Sequence, residues 1–156
     1  MNETTITAEP GTPFLDIVRE FEATPAQVFR AWTDPELIPQ WLGPAGTSMD
    51  LVEYNATDGG RYHYIHHDES GDFVFRGVFH AVVPNERIVQ TFQFDGWPTE
   101  VSLETLTFED LGGRTRVRTH SVFLSVAARD AMVESGMERG VLDSMSRLDK
   151  ILAEGS

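Results

Sequence analysis

Glu104 and the three histidines His63, His66 and His67 are the side chains whose types and spacing best support chemistry in this 156-residue chain. A carboxyl group serves as general acid or base when its surroundings raise its pKa, and a histidine titrates near neutrality. The histidines also raise a metal reading. At about 3.3 Å per strand residue, His63 and His67 would stand about 13 Å apart, too far for one ion. His66 would point to the opposite face. His67 with Asp72 makes at most a weak exposed pair, so no metal is expected. The chain has no cysteine, which excludes disulfides, thiol catalysis and thiolate metal sites. No Gly-rich phosphate loop, nucleophile elbow or zinc-helix motif is present, and no cofactor is expected.

The strands that carry these residues decide which of them meet. If the turn Asp68-Glu69-Ser70-Gly71 pairs His67 with Asp72, Tyr64 faces Phe75 and Tyr62 faces Gly77. Side chains alternate along a strand, so Tyr62, Tyr64, His66, Phe73, Phe75 and Phe79 then share the inner face. Arg61, His63, His67, Arg76 and His80 share the outer one. Pairing across Asp110–Gly113 puts Phe108 opposite Thr115 and Glu104 opposite Thr119. Pairing across Asp95–Thr99 puts Phe92 opposite Glu104 and Phe94 opposite Ser102, with Gln90 on the same face. Joining the two halves requires a one-residue bulge near Val82–Pro84.

The inner face is thus aromatic, with a sparse polar set of His66, Gln90, Glu104 and Thr119. A structural core seldom takes an unpaired carboxylate, because burying one is costly. A small-molecule pocket is lined in this way. The competing structural reading makes Glu104 and His66 satisfied core groups. Two intervening strands at about 4.8 Å each would separate them by about 14 Å. They would therefore address opposite ends of one ligand.

Punctuation along the chain gives the remaining elements. Phe14–Phe21 alternates as a first strand. Thr24-Pro25-Ala26-Gln27 is a capping box with proline at the first helical position. Val28, Phe29 and Trp32 follow on one face. Asp34-Pro35-Glu36 opens a second short helix that Pro39 should kink or end, and Trp41–Pro44 closes the segment. Five turn signals divide residues 48–125 into about six strands. Ser125 caps one long helical stretch to about Ala153, with Met137, Val141, Met145, Leu148 and Leu152 as its apolar stripe. Gly136 and Gly140 lie one turn apart in it. They mark either room for a ligand or a break between two helices. Met132 and Met137 add adaptable apolar surface. The candidate lining set is Trp32 and Trp41 from the short helices, with Met132, Gly136, Met137, Gly140 and Val141 from the last one. The sheet adds Tyr62, Tyr64, His66, Phe75, Phe79, Gln90, Phe92, Phe94, Glu104 and Thr119.

The order of elements predicts an α+β domain spanning residues 13–156, with residues 1–12 as a flexible polar arm. Twelve Lys and Arg against 25 Asp and Glu give a net charge of −13. That charge argues against nucleic acid and anionic membranes as partners. No apolar window is long enough to span a bilayer, and Met1–Gly11 lacks the basic and apolar parts of a signal peptide. A cytoplasmic location is expected.

Several stretches together resemble a known family. They include Phe29-Arg30-Ala31-Trp32-Thr33-Asp34-Pro35-Glu36-Leu37, then Trp41-Leu42-Gly43-Pro44. Gly59-Gly60-Arg61-Tyr62, Gly77-Val78-Phe79 and Pro84-Asn85-Glu86-Arg87-Ile88-Val89 follow. Arg129–Met132, Ser135–Gly140 and Arg147-Leu148-Asp149 complete the set. They look like the family related to the activator of heat-shock protein 90 ATPase, within the START-like (SRPBCC) superfamily. The resemblance implies a helix-grip fold, with a curved antiparallel sheet of about seven strands around a long C-terminal helix. It implies two short helices after the first strand and a cavity between sheet and helix. It corresponds to the C-terminal-type domain of the eukaryotic co-chaperone alone. The superfamily includes lipid and sterol carriers, hormone receptors and polyketide cyclases, so fold does not select the activity. The leading expectation is binding of a small, largely apolar or aromatic ligand. An acid–base enzyme of the cyclase or hydratase type, using Glu104 with Tyr62, Tyr64 or His66, is the alternative. A chaperone-cofactor-like protein module is the second alternative, and a homodimer stays open.

Overall fold

The computed structural model describes residues 3–155. Eight antiparallel strands form one sheet in the order β1-β2-β8-β7-β6-β5-β4-β3. They are β1 Thr5–Thr7, β2 Phe14–Phe21, β3 Ser48–Tyr54, β4 Arg61–Asp68, β5 Gly71–Val83, β6 Arg87–Phe94, β7 Val101–Asp110 and β8 Thr115–Val122. Four helices join them: α1 Pro25–Thr33, α2 Ile38–Trp41, α3 Val126–Glu134 and α4 Met137–Glu154.

The Thr24 capping box starts α1: the Thr24 hydroxyl accepts from the Gln27 amide, and the Gln27 side chain accepts from the Thr24 amide. One core cluster joins the helices to the sheet. It packs Val28, Phe29, Ile38 and Trp41 against Phe21, Tyr62, Phe79, Ile88, Leu106 and Val117, with Met145 and Leu148 from α4. An ion pair from Arg19 on β2 to Asp149 ties α4 down at its far end.

Four details differ from the sequence expectations. Thr5–Thr7 pairs with Val18, Ile17 and Asp16, so part of the stretch read as a loose arm adds an edge strand. Pro39 lies in the first turn of α2, where a missing backbone N–H removes no helical bond, so it opens the helix instead of ending it. The last helical stretch is two helices. Ser135 ends α3 with its amide on the Ala131 and Met132 carbonyls, and Gly136 turns the chain at φ 86°. That left-handed conformation suits glycine and breaks the helix.

The fourth difference is register. The β4–β5 pairing agrees residue for residue with His67 opposite Asp72. In β7–β8, Glu104 lies opposite Ser121 and Phe108 opposite Val117, two residues from the expected register. Gly112 and Gly113 both take φ 87°, which makes a two-residue turn and lets the strands pair up to it. In β6–β7, Glu104 lies opposite Gln90 and Phe92 opposite Ser102, again two residues over. Two tight turns, at Phe94–Trp97 and Trp97–Glu100, shorten that connection. A shift of two keeps every side chain on its face. The bulge is present between Phe79 and Ala81, slightly before the expected place.

Candidate functional site

A cavity of about 560 Å³ lies between the inner face of the sheet and the helices. Sixteen of the seventeen residues expected to line it do so. Phe79 is the exception. It is fully buried in the core, with its ring 5.4 Å from those of Tyr54 and Tyr62. The bulge at His80 offsets the end of β5, and Tyr54 from β3 covers Phe79 from the cavity side.

The floor is aromatic. Tyr64, Phe75, Phe92 and Phe94 form a connected series with ring centroids 5.2–5.5 Å apart. Trp32 and Trp41 meet edge to face at 4.8 Å beside the short helices. Met132, Gly136, Met137, Gly140 and Val141 close the helical side. A side chain at Gly140 would press on Pro44 of the loop after α2, its Cβ 3.4 Å from the ring.

Glu104 is the one acidic side chain on this wall. Gln90 donates from Nε2 to Glu104 Oε1 at 2.9 Å, and the Ser121 hydroxyl lies 3.5 Å from Oε2. Burial pushes the carboxyl above its ordinary range, and the Gln90 and Ser121 bonds only partly offset this. Among the described residues no ion pair reaches it, and no lysine or arginine lines the cavity. Burial also pushes the Tyr54, Tyr62 and Tyr64 hydroxyls up, helped by Glu104. Tyr54 donates to the Trp32 carbonyl at 2.7 Å and Tyr62 to the Thr91 carbonyl at 2.5 Å. Those two hydroxyls are therefore committed to the backbone. Tyr64 has no hydrogen-bond partner among the described residues.

His66 is buried at the other end, edge-on to Tyr64 and Phe75. Burial, then Arg147 and His67, lower its pKa. Among the described residues its Nδ1 has no hydrogen-bond partner. Gly43 makes room for the ring, since a Cβ there would fall 2.3 Å from His66 Cε1. The Gly43 amide donates to Ser144 Oγ on α4 at 2.8 Å, and its carbonyl accepts from Arg147 at 3.2 Å. Tyr54, Ser102 and Ser121 also line the cavity and escaped the sequence reading. The Gly112-Gly113 turn was the signal that places Ser121 beside Glu104.

The outer face holds the remaining candidates. His67 bonds Asp72 at 2.6 Å and Asp50 at 2.8 Å. Among the described residues no cluster of three or more His, Asp or Glu could hold a metal. Arg76 pairs with Asp95, and Arg116 with Glu20 and Glu109. Arg118 also pairs with Glu109. These outer-face arginines are thus compensated by carboxylates on the same face.

A long antiparallel sheet closed by a C-terminal helix over a cavity defines a helix-grip protein of the START-like class. The profile of the family described as Activator of Hsp90 ATPase homolog 1-like protein matches residues 22–153, and the chain belongs to that family. The human protein named Activator of 90 kDa heat shock protein ATPase homolog 1 is 29% identical over 98 residues, covering 62% of this chain. The chain spans about a quarter of the length of that curated relative (25%). A protein from Rhodobacter sphaeroides superposes with a TM-score of 0.89 at 27% identity, covering 97% of this chain and 99% of that one. One from Chromobacterium violaceum gives 0.80 at 26%, covering 90% and 96%. A Mycobacterium smegmatis protein shares the fold with a TM-score of 0.86 at 21% identity, covering 96% and 97%. Among the described residues no helix is long and apolar enough to cross a membrane.

Proposed function

We infer that the chain binds a small, largely apolar or aromatic ligand in the cavity between the sheet and α3–α4. The observation that carries this reading is a space of about 560 Å³ lined mostly by aromatic and aliphatic side chains. Such a space suits a drug-sized molecule. Its few polar groups stand at separate places, as a site that orients a ligand requires. Trp32, Trp41 and Tyr64 supply the contact area, and Met132 and Met137 adapt to its outline. Native mass spectrometry of protein purified from its source tests the reading. A retained small molecule that Thr119→Trp displaces is the expected result. An invariably empty protein that takes up no apolar probe overturns it.

The raised carboxyl of Glu104 favours a second reading, an acid–base enzyme of the cyclase or hydratase type. Tyr62 drops out as a proton donor because its hydroxyl is bonded to Thr91, which leaves Tyr64 and His66 as partners. In an enzyme, Glu104→Gln abolishes turnover and leaves ligand binding within a few fold. In a carrier it alters affinity alone.

A further inference from the structure

The Glu104 end of the cavity is built for a particular ligand chemistry, and that chemistry rests on the reading of the cavity as a binding site. Gln90 Nε2 donates to Oε1 at 2.9 Å. That bond fixes Oε1 as the accepting oxygen and leaves Oε2 as the one that carries a proton. Among the described residues, the hydrogen bond to Oε2 comes from the Ser121 hydroxyl, at the long limit of 3.5 Å. The titratable groups facing the carboxyl are Tyr54 from β3 with Tyr62 and Tyr64 from β4. All three are neutral phenols. Tyr54 and Tyr62 give their protons to backbone carbonyls and offer the carboxyl none. No cationic side chain lines the cavity among the described residues.

An unpaired carboxylate in such surroundings takes up a proton more readily than it stays charged. A carboxylic acid held neutral by an apolar site is a hydrogen-bond donor. Its proton then needs an acceptor, and among the described residues the sole hydrogen-bond contact to Oε2 is the long one to the Ser121 hydroxyl. At the far end, burial, then Arg147 and His67, lower the pKa of His66 and so disfavour its charged form. Among the described residues the lining holds no lysine or arginine. An anionic ligand finds no cation. A protonated amine would have to form a buried ion pair, desolvating both charges.

We propose that Glu104 meets the ligand as a carboxylic acid, donating from Oε2 to a carbonyl or other neutral acceptor oxygen, so that the cavity selects neutral oxygen-bearing aromatic molecules. Amines and carboxylates of the same skeleton are excluded. Four naphthalene probes test this on the full chain by calorimetry: naphthalene, 2-acetylnaphthalene, protonated 2-naphthylmethylamine and 2-naphthoate. The ketone is expected to bind about tenfold tighter than the hydrocarbon, the scale of one well-made hydrogen bond. The two charged probes should bind more weakly than the hydrocarbon. Glu104→Leu should erase the ketone's advantage over naphthalene. Glu104→Gln, whose amide also donates, should keep most of it. The ketone's advantage should shrink as pH rises and the free carboxyl loses its proton, and Glu104→Gln should remove that pH dependence. A protein that binds the ammonium probe most tightly overturns the proposal, as does one that binds ketone and hydrocarbon alike. The second result leaves the cavity reading standing. Failure of all four probes removes the cavity reading and this proposal with it.

Discussion

The two faces of the sheet handle charge in opposite ways. On the outer face, arginines and carboxylates stand beside one another: Arg114 with Glu20 and Glu22, Arg116 with Glu20 and Glu109, Arg76 with Asp95. These charges sit in water and compensate each other across strands. On the inner face, one carboxyl faces the cavity with amide and hydroxyl neighbours and no cation. Pairing is the solution where water is present. On the cavity wall burial favours the uncharged carboxyl instead, although elsewhere on the inner side the buried Arg19 still pairs with Asp149. The outer face thus presents compensated charge, and the cavity wall presents a carboxyl bonded only to neutral groups among the described residues.

The inner face divides again, into packed core and open cavity, and the largest mutational contrast lies across that line. Phe79 is 0% exposed and packed on all sides. Phe79→Ala should cost about 3–5 kcal/mol in urea unfolding, as for a large cavity made in a close-packed site. Phe92 lines the cavity. Phe92→Ala should cost less than half as much and change ligand affinity instead. Equal losses would mean that the cavity is packed in solution.

Gly77 tests how the aromatic floor is held. A Cβ there would fall 2.1 Å from the Thr91 carbonyl and 2.4 Å from the Tyr62 ring. Gly77→Ala should therefore destabilise by about 1–3 kcal/mol through forced displacement of backbone and ring. Thr91 O would be expected to lose its bond from Tyr62. A change too small to measure would show that β5 and β6 separate freely.

These contrasts show what the amino-acid sequence carried and where it stopped. Period-two alternation placed Tyr62, Tyr64, His66, Gln90 and Glu104 on one face, and that survived a two-residue register error because two is the strand period. The same error hid Ser121, since the partner opposite Glu104 depends on counting turn residues. Phe79 was misassigned to the cavity because alternation tells inside from outside but does not tell core from void. Gly136 announced a special backbone, yet only its φ of 86° decided between a kink and two helices. The Arg116 and Arg118 pairs were invisible because their partners come from β2 and from the same hairpin at long range.

The electrostatic contrast between the faces has opposite signs in pH. Glu104 is held above its ordinary range, so the folded state binds its proton more tightly than the unfolded chain does. Its contribution is present at low pH and is lost as pH rises through the raised pKa. Glu109 is the reverse. Burial raises it, but Arg118 and Arg116 outweigh that and pull it down. Its contribution is present above the ordinary carboxyl range and is lost as pH falls through the lowered pKa. Unfolding curves across pH should show Glu104→Gln gaining relative stability toward alkaline pH. Glu109→Gln should lose at most about 1 kcal/mol near neutrality, and less in high salt. The same slope in both variants would erase the distinction between the faces.

The finest form of the comparison is between two adjacent residues. His66 and His67 differ by one position and so point to opposite faces. Burial, Arg147 and His67 lower the pKa of His66 below 6.5. Bonds to Asp72 and Asp50 raise that of His67 above it. In the folded state His66 resists a proton that the unfolded chain accepts, so its share of stability falls as pH drops below 6.5. His67 favours the folded state at low pH, and that share is lost as pH rises through its raised pKa. In a global unfolding scan the two partly cancel. Residue-resolved NMR titration of the two rings separates them. His66 should remain neutral at a pH where His67 is mostly protonated. Arg147→Gln should move His66 part of the way back and no further, because burial is the larger cause. A full return to 6.5 in that variant would show that Arg147, and not the dry cavity wall, keeps His66 neutral.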